Sequence, residues 1–375
     1  MKAIGVIVEY NPFHNGHLHH LNEAKRISGC DCVIAVMSGN FMQRGEPSIL
    51  NKWVRSNLAI DNGVDLVIEL PFVFSVQSAD MFAYGSIDIL NKLKTSELYF
   101  GSETNDIKSL KEMVATLNSV EFQTKIKEYI DMGNNYPSAS GKAVFDLTNK
   151  NFTSNDNLGI QYIKSIDNLK SKIVPKTIHR VHSNYLDKES THHSIASATA
   201  IRLMKDPKEF VPNNTNEALK GKTYSWHDYY NLIQYKIISD SDLSRFALVE
   251  EGIENRFKKF IHSDSFDEFL QNVSTRRYPQ NRIRRTLTNI LCDIKKTDYE
   301  NLNLQDGVPY IRVLGMNDVG RKYLNKVKKQ LDIPIISKAN DFKHKMIDIE
   351  TKSTEIYDKK LLIKEFKPLI YKKGT

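Results

Sequence analysis

The sequence predicts an α/β protein, with a Rossmann-like parallel sheet over residues 1–205 followed by a mainly α-helical, basic C-terminal domain over residues 206–375. Three observations carry that reading. Short β-branched runs alternate with segments of helical periodicity, a polar turn follows run after run, and the pattern stops near Asp206, where Pro207, Pro212 and Asn213-Asn214 mark a boundary. Strand and helix in alternation imply right-handed crossovers and therefore parallel strands.

The first run, residues 4–8, is apolar as a strand covered on both faces should be, and Asn11-Pro12 breaks it. From His17 onward Leu18, Leu21, Ala24 and Ile27 recur at helical spacing, so His14 and His17 fall where a strand's carboxyl end meets a helix N-terminus. Residues 32–37 form the second strand, closed by Ser38-Gly39-Asn40, and residues 41–47 read as a loop. A helix over 52–62 is expected to present Trp53, Leu58 and Ala59 on one side and Lys52 and Arg55 on the other, with Asn62-Gly63 stopping it. Residues 65–70 make the third strand, ended by Pro71; a helix over 79–93 and a fourth strand over 97–100 lead to Gly101. Residues 105–150 are a polar helical excursion. Asn155 then opens a helix with Leu158, Tyr162 and Ile166 on its apolar face, where its amide suits either a cap or a ligand. A last strand spans about 173–181 and carries Arg180, a turn follows at 184–187, and Ser197 is a good N-cap for the next helix. Beyond 206 the chain is helical and charged, with short strands at 310–315 and 333–337 around a helix bearing Arg321, Lys322, Lys326, Lys328 and Lys329.

With 375 residues and 40% hydrophobic content, the chain is long enough for two ordinary cores. It has no apolar run of about 18 residues, so no membrane-spanning helix is expected. Its N-terminus enters a strand without the apolar stretch of a signal peptide, and a cytoplasmic location is expected. Cys30, Cys32 and Cys292 cannot build a disulfide framework, and Cys30-x-Cys32 lacks the second pair of a structural zinc site; no protein metal site is expected. A net charge of +8 suits a polyanionic partner, as it also suits a lysine-rich solvated surface.

The chemistry begins at the first turn. The leading N–H groups of a helix lack internal partners and carry partial positive charge, so they attract phosphates. Gly16 has no Cβ to hold a ligand away, and imidazoles three residues apart lean over the same helix end. In parallel sheets ligands gather beyond the strands' carboxyl ends, where His14, His17, Gly39 and Gly101 all fall. Separately, the stretch 274–285 carries Arg276, Arg277, Arg282, Arg284 and Arg285 with Tyr278 and no acidic residue, a composition suited to an RNA backbone and a stacked base.

His14-Asn15-Gly16-His17 between strand and helix resembles the signature of the HxGH nucleotidyltransferase superfamily. The longer stretch Glu9-Tyr10-Asn11-Pro12-Phe13-His14-Asn15-Gly16-His17 is similar to the bacterial tRNA(Met) cytidine acetate ligases. The segments Asn155-Asp156-Asn157-Leu158-Gly159, Glu250 to Arg256 and Ser274 to Arg285 resemble the same family, so the likeness covers both halves of the chain. It implies an enzyme that makes acetyl-adenylate from acetate and ATP and passes the acetyl group to N4 of the wobble cytidine of elongator tRNA(Met); Mg2+ is expected to bridge the phosphates, and no all-protein carboxylate cage for it is legible in the sequence. The implied ATP-binding residues are Ile7, Val8, Glu9, Tyr10, Asn11, Pro12, Phe13, His14, Asn15, Gly16, His17, Leu18, His19, His20, Gly101, Asn155, Arg180, Ser197 and Thr199, with His14, His17 and Arg202 catalytic. Ser197, Thr199 and Arg202 match the superfamily's late phosphate-binding segment, although Ala198 stands where a second serine is usual. The arginines from Arg276 to Arg285 are the implied tRNA contacts. An adenylyltransferase for a small phosphorylated cofactor precursor would use the same turn without needing that run, and a non-catalytic RNA-binding protein would keep the run without needing His14, His17 and Arg202 together.

Overall fold

The computed structural model describes residues 1–149, 153–180 and 194–373. The β-branched runs form β1 (Ala3–Val8), β2 (Cys32–Ser38), β3 (Leu66–Leu70), β4 (Glu97–Ser102) and β5 (Val174–His179). Between them lie α1 (Asn15–Ser28), α2 (Lys52–Asp61), α3 (Phe72–Ser75) and α4 (Ala79–Lys92). The polar excursion is α5 (Ile107–Leu117), α6 (Val120–Asp131) and α7 (Tyr136–Thr148), followed by α8 (Ser154–Asn168). The five strands run parallel in the order β5-β4-β1-β2-β3. The chain steps outward from β1 to β2 and β3, then returns to the other side of β1 for β4. Connections therefore diverge at the carboxyl ends of β1 and β4, and such a switch point opens a crevice.

Alternation along the strands divides the core between the two faces of the sheet. Ile4, Val6, Val33, Ala35 and Val67 join Leu21 and Ala24 of α1 and Leu58 and Ala59 of α2. Ala3, Ile34, Val36, Ile68 and Leu98 join Phe82, Ile87 and Leu90 of α4 and Ile160 and Ile163 of α8.

Downstream come α9 (Ala198–Leu203), α10 (Asn213–Leu219), α11 (Tyr230–Ser239), α12 (Ile253–Phe260), α13 (Phe266–Val273), α14 (Gln280–Leu291) and α15 (Lys296–Glu300). The chain closes with β6 (Ile311–Asn317), α16 (Asp318–Val327), β7 (Ile335–Ile336), α17 (Lys345–Tyr357) and β8 (Ile370–Lys372). β6 adds antiparallel to β3 and brings β7 and β8 with it, making eight strands in one sheet among the described residues. The sheet thus draws on both sides of residue 206. The expected strand end at Val181 and the turn at 184–187 lie outside the described residues.

One expectation for α2 is overturned: Lys52 and Arg55, expected opposite the apolar side, are fully buried. Lys52 Nζ lies 2.6 Å from Glu69, 3.0 Å from Glu350 and 2.7 Å from Glu365. Arg312 of β6 lies 3.2 Å from Glu69 and also pairs with Glu365. Arg55 donates to the carbonyls of Glu9 at 2.6 Å, Leu50 at 2.9 Å and Ser38 at 3.1 Å. A charge can sit in a dry core only with such partners, and those of Lys52 come largely from the far end of the chain. Gly39 lies against this cluster, since a Cβ there would stand 2.6 Å from Glu350 Oε1.

Candidate functional site

The turn after β1 passes through Tyr10 at φ 49° and a cis Asn11–Pro12 bond. His14 is the N-cap of α1. Its Nδ1 accepts the Gly16 N–H at 3.0 Å, while His17 Nδ1 accepts the His14 N–H at 3.3 Å. Both Nδ1 lone pairs are engaged, so each neutral ring carries its proton on Nε2 and keeps that N–H for another acceptor. The rings stack at 3.7 Å, and Tyr10 and Phe13 flank His17 at 5.0 and 5.8 Å. Burial, then the charge of Arg180, depresses His14 to about 3; burial, then His14, holds His17 well below its ordinary value. His20 falls to about 4 for the same first reason, and its Nε2 is buried without a hydrogen-bond partner. Neutral donors at a helix N-terminus favour an anion without themselves being charged beforehand. Gly16 also has a neighbour inside the fold: a Cβ there would stand 2.9 Å from His14 Cε1 and displace the capping ring.

The late segment is stitched to this turn. Asn15 Nδ2 donates to the carbonyls of Ser194 and Glu209, each at 3.0 Å, and the Asn15 N–H to Phe210 O at 3.0 Å. Ser197 caps α9 as expected, accepting the Ala200 N–H at 3.2 Å. Arg202 donates through Nη1 to the Asn11 carbonyl at 2.9 Å and through Nη2 to Glu46 at 3.1 Å and to Thr199 Oγ1 at 3.4 Å. The structure therefore brings His14, His17, Thr199 and Arg202 around one turn. Ile7 and Val8 end β1, Leu18 and His19 continue α1, and Glu9 and Asn11 fasten the following loop by accepting the N–H groups of Gln43 and Ile49, both at 2.7 Å.

Across the switch point, Gly101 in β4 lets Arg180 pass, since a Cβ there would lie 3.0 Å from Arg180 Cγ. Asn155 does not cap α8; Thr153 does. Asn155 Nδ2 donates instead to Glu103 at 2.5 Å, and Arg180 lies 3.6 Å from the same carboxylate. Burial opposes the charge on Glu103, but hydrogen bonds from Thr153 and Asn155 and the charge of Arg180 hold it below the usual carboxylate range. Sequence reasoning missed Glu103, whose only local signal is a carboxylate just beyond a strand's end.

The basic run occupies the α13–α14 connection and the start of α14. The run itself holds no acidic residue, and the fold brings acidic partners to it from outside: Glu251 lies 3.2 Å from Arg277 and 3.1 Å from Arg282, and Glu250 lies 3.5 Å from Arg282. Arg276 donates to Asn134 Oδ1 at 2.5 Å. Tyr278, read as a stacking surface, is buried, with Arg277 and Arg282 over its ring and its hydroxyl donating to Glu251 O at 2.5 Å. Burial depresses the Arg285 guanidinium to about 10, and Arg284 reaches to 3.8 Å from Glu46, the carboxylate that also holds Arg202. No helix among the described residues is long and apolar enough to cross a membrane.

The family model for the HIGH Nucleotidyl Transferase matches residues 1–370. The chain is 43% identical to the tRNA(Met) cytidine acetate ligase of Caldicellulosiruptor bescii, over 91% of this chain and 88% of the relative. It is 40% identical to that of Bacillus subtilis, over 95% and 92% respectively. Among solved structures, Thermotoga maritima TmcAL bound with alpha-thio ATP is 30% identical and superposes over 100% of both chains with a TM-score of 0.87; the apo form, also 30% identical over 100% of both chains, gives 0.89. With the histidine-capped turn seated at the switch point of the sheet and the likeness running nearly end to end, the chain belongs to the HIGH nucleotidyl transferases and, among them, to the tRNA(Met) cytidine acetate ligase family.

Proposed function

We propose that this protein activates acetate with ATP and transfers the acetyl group to N4 of the wobble cytidine of elongator tRNA(Met), releasing AMP and pyrophosphate. The observation that carries this reading is the capped His14–His17 turn at the β1/β4 switch point, in a chain 40% identical over 95% of its length to a relative of that name. An acetate oxygen attacks the α-phosphorus in line, the bond to the bridging oxygen breaks, and pyrophosphate leaves with the electron pair. The cytidine N4 then attacks the acetyl carbon of the mixed anhydride, loses a proton and expels AMP. His14 and His17 offer Nε2–H donors to the α-phosphate, and Arg202 faces the departing pyrophosphate. Each such donor is worth ~3–4 kcal/mol in a preorganised site, roughly a hundred- to a thousandfold in rate.

Gly101, Asn155, Arg180, Ser197 and Thr199 complete the proposed ATP site, and the run from Arg276 to Arg285 the tRNA contact. Mg2+ is proposed to accompany the phosphates. Among the described residues no group of three or more His, Cys, Asp or Glu is placed to hold a metal ion. The proposed division of labour puts nucleotide chemistry in residues 1–205 and RNA binding in 206–375, in the cytoplasm.

The test is acetate-dependent exchange of labelled pyrophosphate into ATP, followed by mass spectrometry of tRNA for N4-acetylcytidine. Exchange that needs acetate, with acetylation of tRNA(Met), is expected. Exchange driven by a phosphorylated cofactor precursor instead of acetate would move the protein among small-molecule adenylyltransferases; tRNA binding with no exchange would leave an RNA-binding protein.

A further inference from the structure

The loop between β2 and α2 carries neither the histidines nor the basic run, yet it touches the elements assigned to both. Arg44 donates at 3.3 Å to Ser154 Oγ, the residue before Asn155. Glu46 lies 3.1 Å from Arg202 through Oε2 and 3.8 Å from Arg284 through Oε1. Gly45, at φ 75°, gives its carbonyl to Thr288 Oγ1 of α14 and to Trp226 Nε1, each at 2.9 Å. A Cβ on residue 45 would lie 2.3 Å from the Arg285 backbone nitrogen, so the loop is seated directly on α14. The Met42 N–H donates to the Glu46 carbonyl at 2.8 Å and closes the loop on itself.

A carboxylate beside a phosphate site repels its ligand unless its charge is answered. Glu46 is answered by two guanidiniums, and all three side chains are only 20–23% exposed, where solvent screens such a contact weakly. Arg202 keeps its other nitrogen on the Asn11 carbonyl, within the turn that carries His14. Its guanidinium is thus aimed from two sides: by the backbone of the histidine turn and by Glu46, which Arg284 in turn steadies.

We infer that Glu46 is a positioning residue for Arg202, and that Arg284 acts through Glu46 on the pyrophosphate end of the nucleotide site instead of holding the RNA backbone. The inference rests on the proposed ATP chemistry and names which of the five arginines leaves the RNA set. Because Arg284 reaches Arg202 only through Glu46 in this chain of contacts, removing Glu46 or Arg284 disturbs the same thing, and the effects do not add.

The experiment uses the full-length protein without tRNA and measures acetate-dependent pyrophosphate exchange for Glu46→Gln, Arg284→Ala, Arg284→Lys and the Glu46→Gln/Arg284→Ala double variant. Loss of a hydrogen bond to a charged group predicts a fall in kcat of roughly tenfold or more for Glu46→Gln, with a similar or smaller fall for Arg284→Ala. KM for acetate is expected to stay unchanged, Arg284→Lys to recover part of the loss, and the double variant to be no worse than the more damaged single one. Calorimetry with ATP and AMP gives a second reading: Glu46→Gln and Arg284→Ala should each weaken ATP binding and leave AMP binding as it was. Parental exchange in Arg284→Ala, with weaker tRNA binding and a shallower salt dependence, overturns the inference and returns Arg284 to the RNA. Multiplicative losses in the double variant overturn it as well. If the parent itself shows no acetate-dependent exchange, the proposed chemistry fails; the ATP-to-AMP affinity ratio then still decides the role of Glu46, and an unchanged ratio sinks it.

Discussion

Replacing Lys52 with methionine keeps most of the side chain's volume and removes one charge from the driest part of the molecule. Its ammonium lies within 3.0 Å of three carboxylates, Glu69, Glu350 and Glu365, and all four side chains are at most 1% exposed. With Arg312 the parent sets two cations against three carboxylates. The excess shows in Glu69, which burial and then the charge of Glu350 push up to about 8 despite Lys52 and Arg312 beside it. Lys52→Met leaves three carboxylates with Arg312 alone. Removing one partner from a buried ionic group costs about 3–5 kcal/mol, a large share of a total stability of about 5–15 kcal/mol. The control is Lys220→Met: its contact with Glu217 has the same 2.6 Å length, but the side chains are 63% and 58% exposed, and loss of such a pair costs about 0–1 kcal/mol. Urea unfolding followed by circular dichroism should move the midpoint of Lys52→Met down by roughly 1–2 M for a slope near 3 kcal/mol/M, with the control almost unmoved. Equal shifts for the two variants would refute the reasoning. The same cluster gives the alkaline limb. The raised Glu69 holds a proton in the folded state that the unfolded chain has released, so this contribution is complete below the unfolded value of 4.5 and is lost as pH rises through about 8. Melting temperature should accordingly decline between pH 7 and 9.

On the acid side the sign reverses: His14, His17 and His20 are all depressed by burial, so the unfolded state takes up protons first as pH falls below 6.5, and melting temperature should drop between pH 7 and 5. A flat or rising profile there would contradict neutral, buried imidazoles. Gly16→Ala should lower exchange roughly a hundredfold by displacing the His14 ring, with little change in melting temperature; a parental rate would mean that the ring's place is immaterial. A fragment of residues 1–205 lacks β6 along the edge of β3 and lacks Arg312, Glu350 and Glu365 around Lys52 and Glu69, so it should show no cooperative melting, and a cooperative transition would disprove that dependence. Replacing Arg277 and Arg282 with alanine should flatten the salt dependence of tRNA binding by less than the ~1.4 units expected of two unpaired guanidiniums, because Glu250 and Glu251 already answer them; unchanged affinity would remove them from the RNA contact.

The strand, turn and helix around His14 were legible in the sequence because each signal there is local. A β-branched run, a proline break, an apolar stripe and a capping residue all act within a few positions, and β1, α1 and the Ser197 cap follow from them. That β1 to β5 run parallel was equally implicit in the alternation of elements, whereas their order was not. Tertiary structure alone decided the fate of the charges. Helical periodicity set Lys52 and Arg55 apart from the apolar side, yet Lys52 is buried because Glu350, 298 residues away in the chain, comes back to meet it. Tyr278 looked open and the arginine run unopposed until Glu250 and Glu251 were brought across from the α12 side. β6 joined a sheet that seemed complete without it, and Glu46 linked Arg202 to Arg284 from a loop with no pattern of its own. Periodicity reports which face of an element is apolar, whereas the energy of a buried charge depends on which opposite charge arrives beside it, and that arrival is decided by the path of the whole chain.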